Sequence, residues 1–156
     1  MKSFTLTTEI KVFAMNELPE NDRLLVLEAQ KATLRSYAPY SHFQVGAAAL
    51  LEDGTIVTGT NQENAAYPSG ICAERTTLFY ANSQYPDLSV KALAITARTP
   101  DGGLCHTPLT PCGACRQVMV ETEKRYGKPM RVLLCGSEEV YIAESARSLL
   151  PLSFDL

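Results

Sequence analysis

Three cysteines and one glutamate form the pattern in this sequence that is best suited to metal chemistry. Cys72 lies two residues before Glu74. The segment PCGAC, residues 111–115, adds Cys112 and Cys115 at C-x-x-C spacing. Such a spacing at the start of a helix lets both sulfurs point at one ion, and zinc bound by three protein ligands keeps a fourth position for water. The pattern therefore predicts a catalytic Zn²⁺ site with three thiolate ligands.

The residues next to the cysteines indicate what the metal would do. A carboxylate beside a metal-activated water can accept a proton and pass it on, and Glu74 is the candidate. We expect helix N-termini at Cys72 and Cys112, and their partial positive charge favours thiolates. Three thiolates would make zinc a weak Lewis acid, so something must withdraw charge from the sulfurs. Arg75 is the predicted hydrogen-bond donor to a thiolate.

The other cysteines and both histidines are expected to lie outside the metal site. None of Cys105, Cys135, His42 and His106 belongs to a second C-x-x-C pair. Cys135 lies in an apolar segment and is predicted to be a small buried hydrophobe. Five cysteines, an odd number, without a secretion signal argue against a disulfide framework. The thiols are therefore expected to be reduced.

Composition limits the class of protein. The chain has 156 residues, of which 46% are hydrophobic, and we expect one domain over 1–156 with residues 1–15 as an N-terminal extension. No apolar run approaches the roughly 18 residues that a membrane helix needs, and no signal peptide is evident, so a cytoplasmic location is expected. The net charge of −3 argues against a nucleic-acid partner.

The pattern of apolar residues and turn signals predicts alternating helices and strands. The sequence Glu52-Asp53-Gly54 separates two apolar segments and predicts a hairpin. The elements suggest a three-layer α/β/α fold with a mixed sheet of about five strands. We expect helices over 20–37, 72–82, 113–126 and 144–150, strands over 45–51, 55–60, 90–98, 131–135 and 140–143, and a long loop over 99–110.

Three blocks in the sequence resemble the zinc-dependent nucleoside deaminases, and specifically the small tetrameric cytidine deaminases. They are YSHFQVGAAAL (40–50), TNQENAAYPSGICAERT (60–76) and PCGACRQV (111–118), and the resemblance covers about residues 37–154. It implies a cytidine deaminase-like fold, zinc, and hydrolysis of cytidine and deoxycytidine to uridine and deoxyuridine with release of ammonia, in pyrimidine salvage. It also implies a homotetramer in which Tyr67 and Phe154 complete a neighbouring subunit's pocket.

The resemblance also implies roles for residues that the spacing alone would leave unassigned. Cys72, Cys112 and Cys115 would hold the zinc, with Glu74 as the proton shuttle. Asn61 and Glu63 would bind the ribose hydroxyls, Phe43 would pack against the pyrimidine ring, and the Ala73 N–H would face the base carbonyl.

Two alternatives stay open at this point. The first is another deaminase on the same scaffold, of the blasticidin, guanine or nucleic-acid-editing type. Asn61 and Glu63 favour a nucleoside, and the acidic balance with few aromatics disfavours single-stranded nucleic acid. The second is a zinc-stabilised binding module without activity, which would have no need for Glu74 beside an open zinc position.

Overall fold

A mixed six-stranded sheet with three α-helices forms the framework of the protein. The computed structural model describes residues 1–156. The strands are β1 (Lys11–Ala14), β2 (Gln44–Leu51), β3 (Ile56–Thr60), β4 (Val90–Arg98), β5 (Arg131–Cys135) and β6 (Glu139–Ala143), and the helices are α1 (Glu20–Thr33), α2 (Ala73–Gln84) and α3 (Gly113–Tyr126). The strand order is β1-β6-β5-β4-β2-β3. Only β4 and β5 are parallel.

The two faces of the sheet carry separate cores, which confirms the predicted three-layer arrangement. Successive side chains of a strand point to opposite faces. On β4, Ala92 and Ala94 pack in the core that contains α1, whereas Leu93 and Ile95 pack in the core that contains α2 and α3. Both faces of β4 are therefore covered, which explains why its sequence is apolar almost throughout. None of the helices is both long and apolar enough to cross a bilayer.

The first helix is shorter than the predicted 20–37. It ends at Thr33, and the chain then makes a turn before Tyr37. Tyr37 pairs with the segment after β3, because its N–H donates to the Asn61 carbonyl and its own carbonyl accepts from the Glu63 N–H. These contacts hold Tyr37 in an extended bridge and bring the start of the 40–45 segment beside residues 61–63.

The two ends of the chain also differ from expectation. Within the predicted N-terminal extension, Lys11–Ala14 adds β1 to the sheet edge, antiparallel to β6. The predicted closing helix over 144–150 is only a single 3₁₀ turn, Ala146–Leu149. Its start is fixed by Ser145, whose hydroxyl accepts from the Arg147 N–H, and Pro151 follows at once.

Replacing Glu123 by alanine is expected to destabilise the fold. Its buried carboxylate accepts hydrogen bonds from the Met130 N–H at 2.7 Å, the Ala146 N–H at 2.8 Å and the Ser145 hydroxyl at 3.0 Å. Two buried backbone donors lose their acceptor in the variant, which costs about 2–4 kcal/mol. Urea unfolding measures this loss. Glu121→Ala, an exposed glutamate on the same helix, is the matched control and should leave the unfolding midpoint unchanged.

Candidate metal centre and substrate cavity

The N-termini of α2 and α3 bring three thiols together. Cys72 is the N-cap residue of α2 and Cys112 is the N-cap residue of α3, while Cys115 lies in the first turn of α3. Their three sulfurs lie within 4.8 Å of one another, and Cys112 Sγ is 3.4 Å from Cys115 Sγ. Cysteine at the N-cap directs its side chain toward the open end of the helix, so each helix start presents sulfur to the same point.

The donor set fits zinc. Tetrahedral zinc with Zn–S bonds of about 2.3 Å separates its sulfur ligands by roughly 3.8 Å, close to the separations in this cluster. No fourth cysteine, histidine or carboxylate belongs to the cluster. Cys135 is buried in β5, and the His106 ring lies beside Ser137 instead. Three converging thiols without a fourth protein ligand match an open catalytic site better than a closed structural one.

Charge in the cluster is stabilised by its neighbours. The Cys115 thiol and the Arg75 guanidinium lower the pKa of the Cys72 thiol to about 5. Arg75 Nη2 lies 3.6 Å from Cys72 Sγ, and Arg75 Nε is buried without a hydrogen-bond partner. Contact with Cys72 and burial raise the pKa of Cys115, so negative charge concentrates first on Cys72. An arginine with a donor to spare beside thiolates is suited to withdraw charge from sulfur.

Glu74 lies in the first turn of α2 and is buried, with 4% of its surface exposed. Burial raises the pKa of its carboxyl, and the negative charge of Cys72 raises it further. A carboxyl whose pKa is moved toward neutrality can both accept and return a proton, as general acid–base chemistry requires. Glu74 also lines the adjoining cavity, so its carboxyl is next to the space that a ligand would occupy.

The cavity beside the thiols has a volume of about 700 Å³. It lies between the 40–45 segment, the loop after β3, the start of α2 and the end of the 99–110 loop. That volume falls in the range of small-molecule sites, and such sites combine apolar walls with a few polar groups. Predicted site residues that line it are Phe43, Asn61, Glu63, Tyr67, Cys72, Glu74 and Arg75.

Asn61 connects two segments of the cavity wall. Its Oδ1 accepts from the Val45 N–H at 2.8 Å and from the Ser36 hydroxyl at 2.5 Å. Its Nδ2 donates to the Phe43 carbonyl at 2.9 Å. The side-chain carbonyl is therefore fully engaged within the protein, and the second N–H of the amide is the group left to meet a ligand.

Glu63 is held by the turn opposite it. Its Oε2 accepts from the Tyr40 N–H at 2.9 Å and the Ser41 N–H at 3.2 Å, and its Oε1 accepts from the Ser41 hydroxyl. These hydrogen bonds lower the pKa of the Glu63 carboxyl, with the Ser41 hydroxyl as the largest cause. The ionised carboxylate has about four lone-pair sites, and the three hydrogen bonds leave one of them, on Oε1, for a ligand.

The remaining predicted residues differ in where they lie. Ala73 is buried and opens α2, where the first N–H groups of a helix have no partner inside the helix. Tyr67 is 75% exposed at the cavity mouth and packs edge-on against Tyr40, with ring centroids 6.1 Å apart. Phe154 is 68% exposed and does not line the cavity of its own chain. Its backbone exchanges two hydrogen bonds with the Gln117 amide, at 2.9 and 3.1 Å.

Several residues of the cavity were not predicted from the sequence. They are Tyr40, Ser41, Val45, Gln62, Asn64, Gly70, Ile71, Leu109 and Thr110. Leu109 and Thr110 directly precede the PCGAC segment, and that adjacency is the signal that could have found them. The end of the 99–110 loop thus forms one wall of the site. Cys105 and His106 lie earlier in that loop and do not line the cavity.

Comparison with known proteins agrees with this geometry. The family profile described as "Cytidine and deoxycytidylate deaminase zinc-binding region" matches residues 19–126. A cytidine deaminase of Halalkalibacterium halodurans is 48% identical over 99 residues, which are 64% of this chain and 70% of that protein. A cytidine deaminase of Sporosarcina psychrophila is 52% identical over 97 residues, which are 62% of this chain and 66% of that protein.

Solved structures give the same result. The crystal structure of cytidine deaminase from Burkholderia pseudomallei superposes with a TM-score of 0.70 at 40% identity, covering 84% of this chain and 97% of that one. That of cytidine deaminase from Mycobacterium tuberculosis gives a TM-score of 0.65 at 33% identity, covering 85% and 96%. Fold and site define a zinc-binding α/β enzyme scaffold. The chain belongs to the cytidine and deoxycytidylate deaminase family.

Proposed function

We propose that the protein hydrolyses cytidine and deoxycytidine to uridine and deoxyuridine with release of ammonia. The observation that carries the proposal is the set of three converging thiols beside the buried Glu74, with Cys72 and Glu74 lining a cavity in the size range of small-molecule sites. Membership of the deaminase family supports the reaction class. Asn61 and Glu63 also line the cavity, and this polar pair supports a nucleoside over a free base.

The metal and the proton carrier have separate roles in the proposed reaction. Cys72, Cys112 and Cys115 would hold zinc, which when bound supplies Lewis-acid activation of a water molecule. The Glu74 carboxylate accepts a proton from that water and delivers it to ring N3, which makes C4 more electrophilic. The water oxygen becomes bonded to C4. Glu74 then takes the remaining proton from that oxygen and delivers it to the exocyclic amine. The C4–N bond breaks, the C4 carbonyl of the product forms, and ammonia leaves.

The other residues bind and orient the nucleoside. Glu63 accepts from a ribose hydroxyl, and Asn61 uses its free N–H in the same region. Phe43 packs against the pyrimidine, and the Ala73 N–H donates to the base carbonyl. The substrate is a free nucleoside, so its base does not have to be flipped out of a nucleic-acid duplex. A cavity is therefore enough to bind it, and no groove for a nucleic-acid strand is needed.

We further propose that the chain is one deaminase domain that works in the cytoplasm, in pyrimidine salvage, as a homotetramer. In the tetramer, Tyr67 and Phe154 complete a neighbouring subunit's pocket. The exposure of both side chains supports this role, as does the position of Phe154 outside its own cavity. Gln117 fixes the backbone of Phe154 and leaves its ring available to a neighbour.

Ammonia release from cytidine by the purified, zinc-loaded protein tests the reaction. Blasticidin S, guanine and single-stranded DNA are run in parallel, because each represents another deaminase type. Turnover of cytidine with none of the other three supports the proposal. Turnover of one of the others alone contradicts the substrate but keeps the scaffold, and zinc without any turnover favours a binding module.

Arg75→Ala is expected to lower turnover far more than stability. Removing a group that hydrogen-bonds a metal ligand costs about 10- to 100-fold in activity or metal affinity. The guanidinium is only partly buried, so unfolding in urea should change little. Arg23→Ala, an exposed arginine on α1, is the control and should behave as wild type. Full turnover and full zinc content in Arg75→Ala would show that Arg75 contributes neither to catalysis nor to zinc binding.

A further inference from the structure

We infer that Ser41 is a positioning residue for the Glu63 carboxylate and thereby sets the affinity of the site for the ribose of its substrate. The inference rests on the proposed function, because it assigns to Glu63 the ribose hydroxyls. Ser41 lies at the cavity wall in the turn between Tyr37 and β2. Ser41 is proposed to contact no reacting atom, so its effect on substrate binding acts through the residues that it hydrogen-bonds.

Ser41 contacts Glu63 twice. Its hydroxyl donates to Oε1 and its backbone N–H donates to Oε2 at 3.2 Å, so one residue engages both carboxylate oxygens. The Tyr40 N–H adds a third hydrogen bond, to Oε2 at 2.9 Å. With both oxygens held, the plane of the carboxylate is fixed. Of the three donors, only the hydroxyl belongs to a side chain and can be removed by substitution.

The same hydroxyl also reaches the aromatic residue of the site. Ser41 Oγ accepts from the Phe43 N–H at 3.1 Å while it donates to Glu63. The Phe43 carbonyl in turn accepts from Asn61 Nδ2 at 2.9 Å. A single serine therefore ties the proposed ribose-binding carboxylate to the backbone of the residue proposed to pack on the base.

The turn that carries Ser41 has an unfavourable backbone conformation, which has to be stabilised by contacts with other residues. His42 has a φ of 55°, in the left-handed region that residues other than glycine seldom adopt. Its N–H donates to the Ala38 carbonyl at 3.0 Å. Strained backbone persists where surrounding contacts determine it, and the Ser41–Glu63 contacts close this turn from the cavity side. The lowered pKa of Glu63, caused first by the Ser41 hydroxyl, agrees with a carboxylate held ionised at neutral pH.

A substrate comparison separates positioning at the ribose from a general structural effect. Ser41→Ala is assayed on cytidine and on 2′,3′-dideoxycytidine, which lacks both hydroxyls of the ribose ring. On cytidine we expect KM to rise about tenfold with kcat unchanged, since a hydrogen bond to a charged group is lost and binding weakens equally in the ground state and the transition state. On the dideoxynucleoside, KM should rise by much less, because only the contact of Ser41 with the Phe43 backbone is affected there. Ser41→Thr keeps a hydroxyl at this exposed position and should restore the KM for cytidine.

The remaining outcomes overturn the inference. An equal rise in KM on both substrates would mean that Ser41 supports the cavity as a whole. No rise in KM for cytidine would mean that Glu63 binds the ribose equally well without the Ser41 hydroxyl. Ser137→Ala, a loop serine outside the cavity, is the control and should match wild type on both. A zinc-loaded wild type that deaminates neither nucleoside would instead reject the proposed function, and this inference with it.

Discussion

Replacing Glu74 by glutamine is expected to remove ammonia release from cytidine while zinc stays bound. Glutamine has nearly the same shape but cannot accept a proton from water or return one to ring N3. Loss of a positioned general acid–base costs about 10²- to 10⁴-fold in kcat. The measurement pairs kcat with zinc per chain, because only a variant that keeps its metal isolates the proton transfer.

Stability distinguishes loss of chemistry from loss of fold in this variant. Burial raises the pKa of Glu74, so the folded state holds the carboxylate less easily than the unfolded chain does. Above the ordinary pKa of glutamate that difference destabilises the fold, and a neutral glutamine abolishes it. The urea midpoint of Glu74→Gln at pH 7 should therefore equal or exceed that of wild type. A variant that retains wild-type turnover would exclude Glu74 as the proton carrier.

Local sequence carried much of the information about the thiols. Cys72 and Cys112 lie at helix starts, and Cys115 follows Cys112 by about one turn. Local helix geometry is therefore enough to bring the Cys112 and Cys115 sulfurs together. What the spacing could not supply is the approach of one helix start to the other, which depends on the packing of α2 and α3 on the same face of the sheet. The residue pattern predicted a shared three-thiolate site without that geometry, and the resemblance to a family supported it.

The cavity wall that carries Asn61 and Glu63 was less predictable, for a physical reason. Asn61 and Glu63 were assigned by resemblance, but their hydrogen-bond partners Ser36, Ser41 and Val45 lie 16 to 25 residues away in the chain. Such partners depend on tertiary contacts, and no periodicity in the sequence encodes them. The result is that Asn61 retains one N–H for a ligand, because the rest of its amide is engaged within the protein.

The edges of the fold were missed because their signals are short. The strand β1 has four residues, and its pairing with β6 brings together positions about 130 residues apart. A pattern of that length does not distinguish a strand from an extended tail. The helix expected over 144–150 failed similarly, since Glu123 and Ser145 bind its first N–H groups in a tight 3₁₀ turn and Pro151 prevents continuation.

Replacement of a proposed zinc ligand has the second large expected effect, and Cys112 is the position where that effect can be measured most clearly. Cys112 is exposed and is the N-cap residue of α3, without a side-chain capping hydrogen bond. Serine is a preferred N-cap residue, so Cys112→Ser should leave the helix intact or improve it. It removes a thiolate from the metal. Loss of a group outside the ligand set already costs 10- to 100-fold in affinity, and loss of a ligand should cost more.

We therefore expect Cys112→Ser to bind less than a tenth of the wild-type zinc, as a consequence of that loss of affinity, and to lose turnover in proportion. Zinc that binds only the folded protein stabilises it, so a chelator should lower the Tm of wild type. The same chelator should leave the Tm of Cys112→Ser unchanged, because little metal remains to be removed. Cys105→Ser, outside the thiol cluster, is the matched control and should respond to the chelator as wild type does. A Cys112→Ser protein that holds a full complement of zinc would show that the Cys112 thiol is not required for zinc binding.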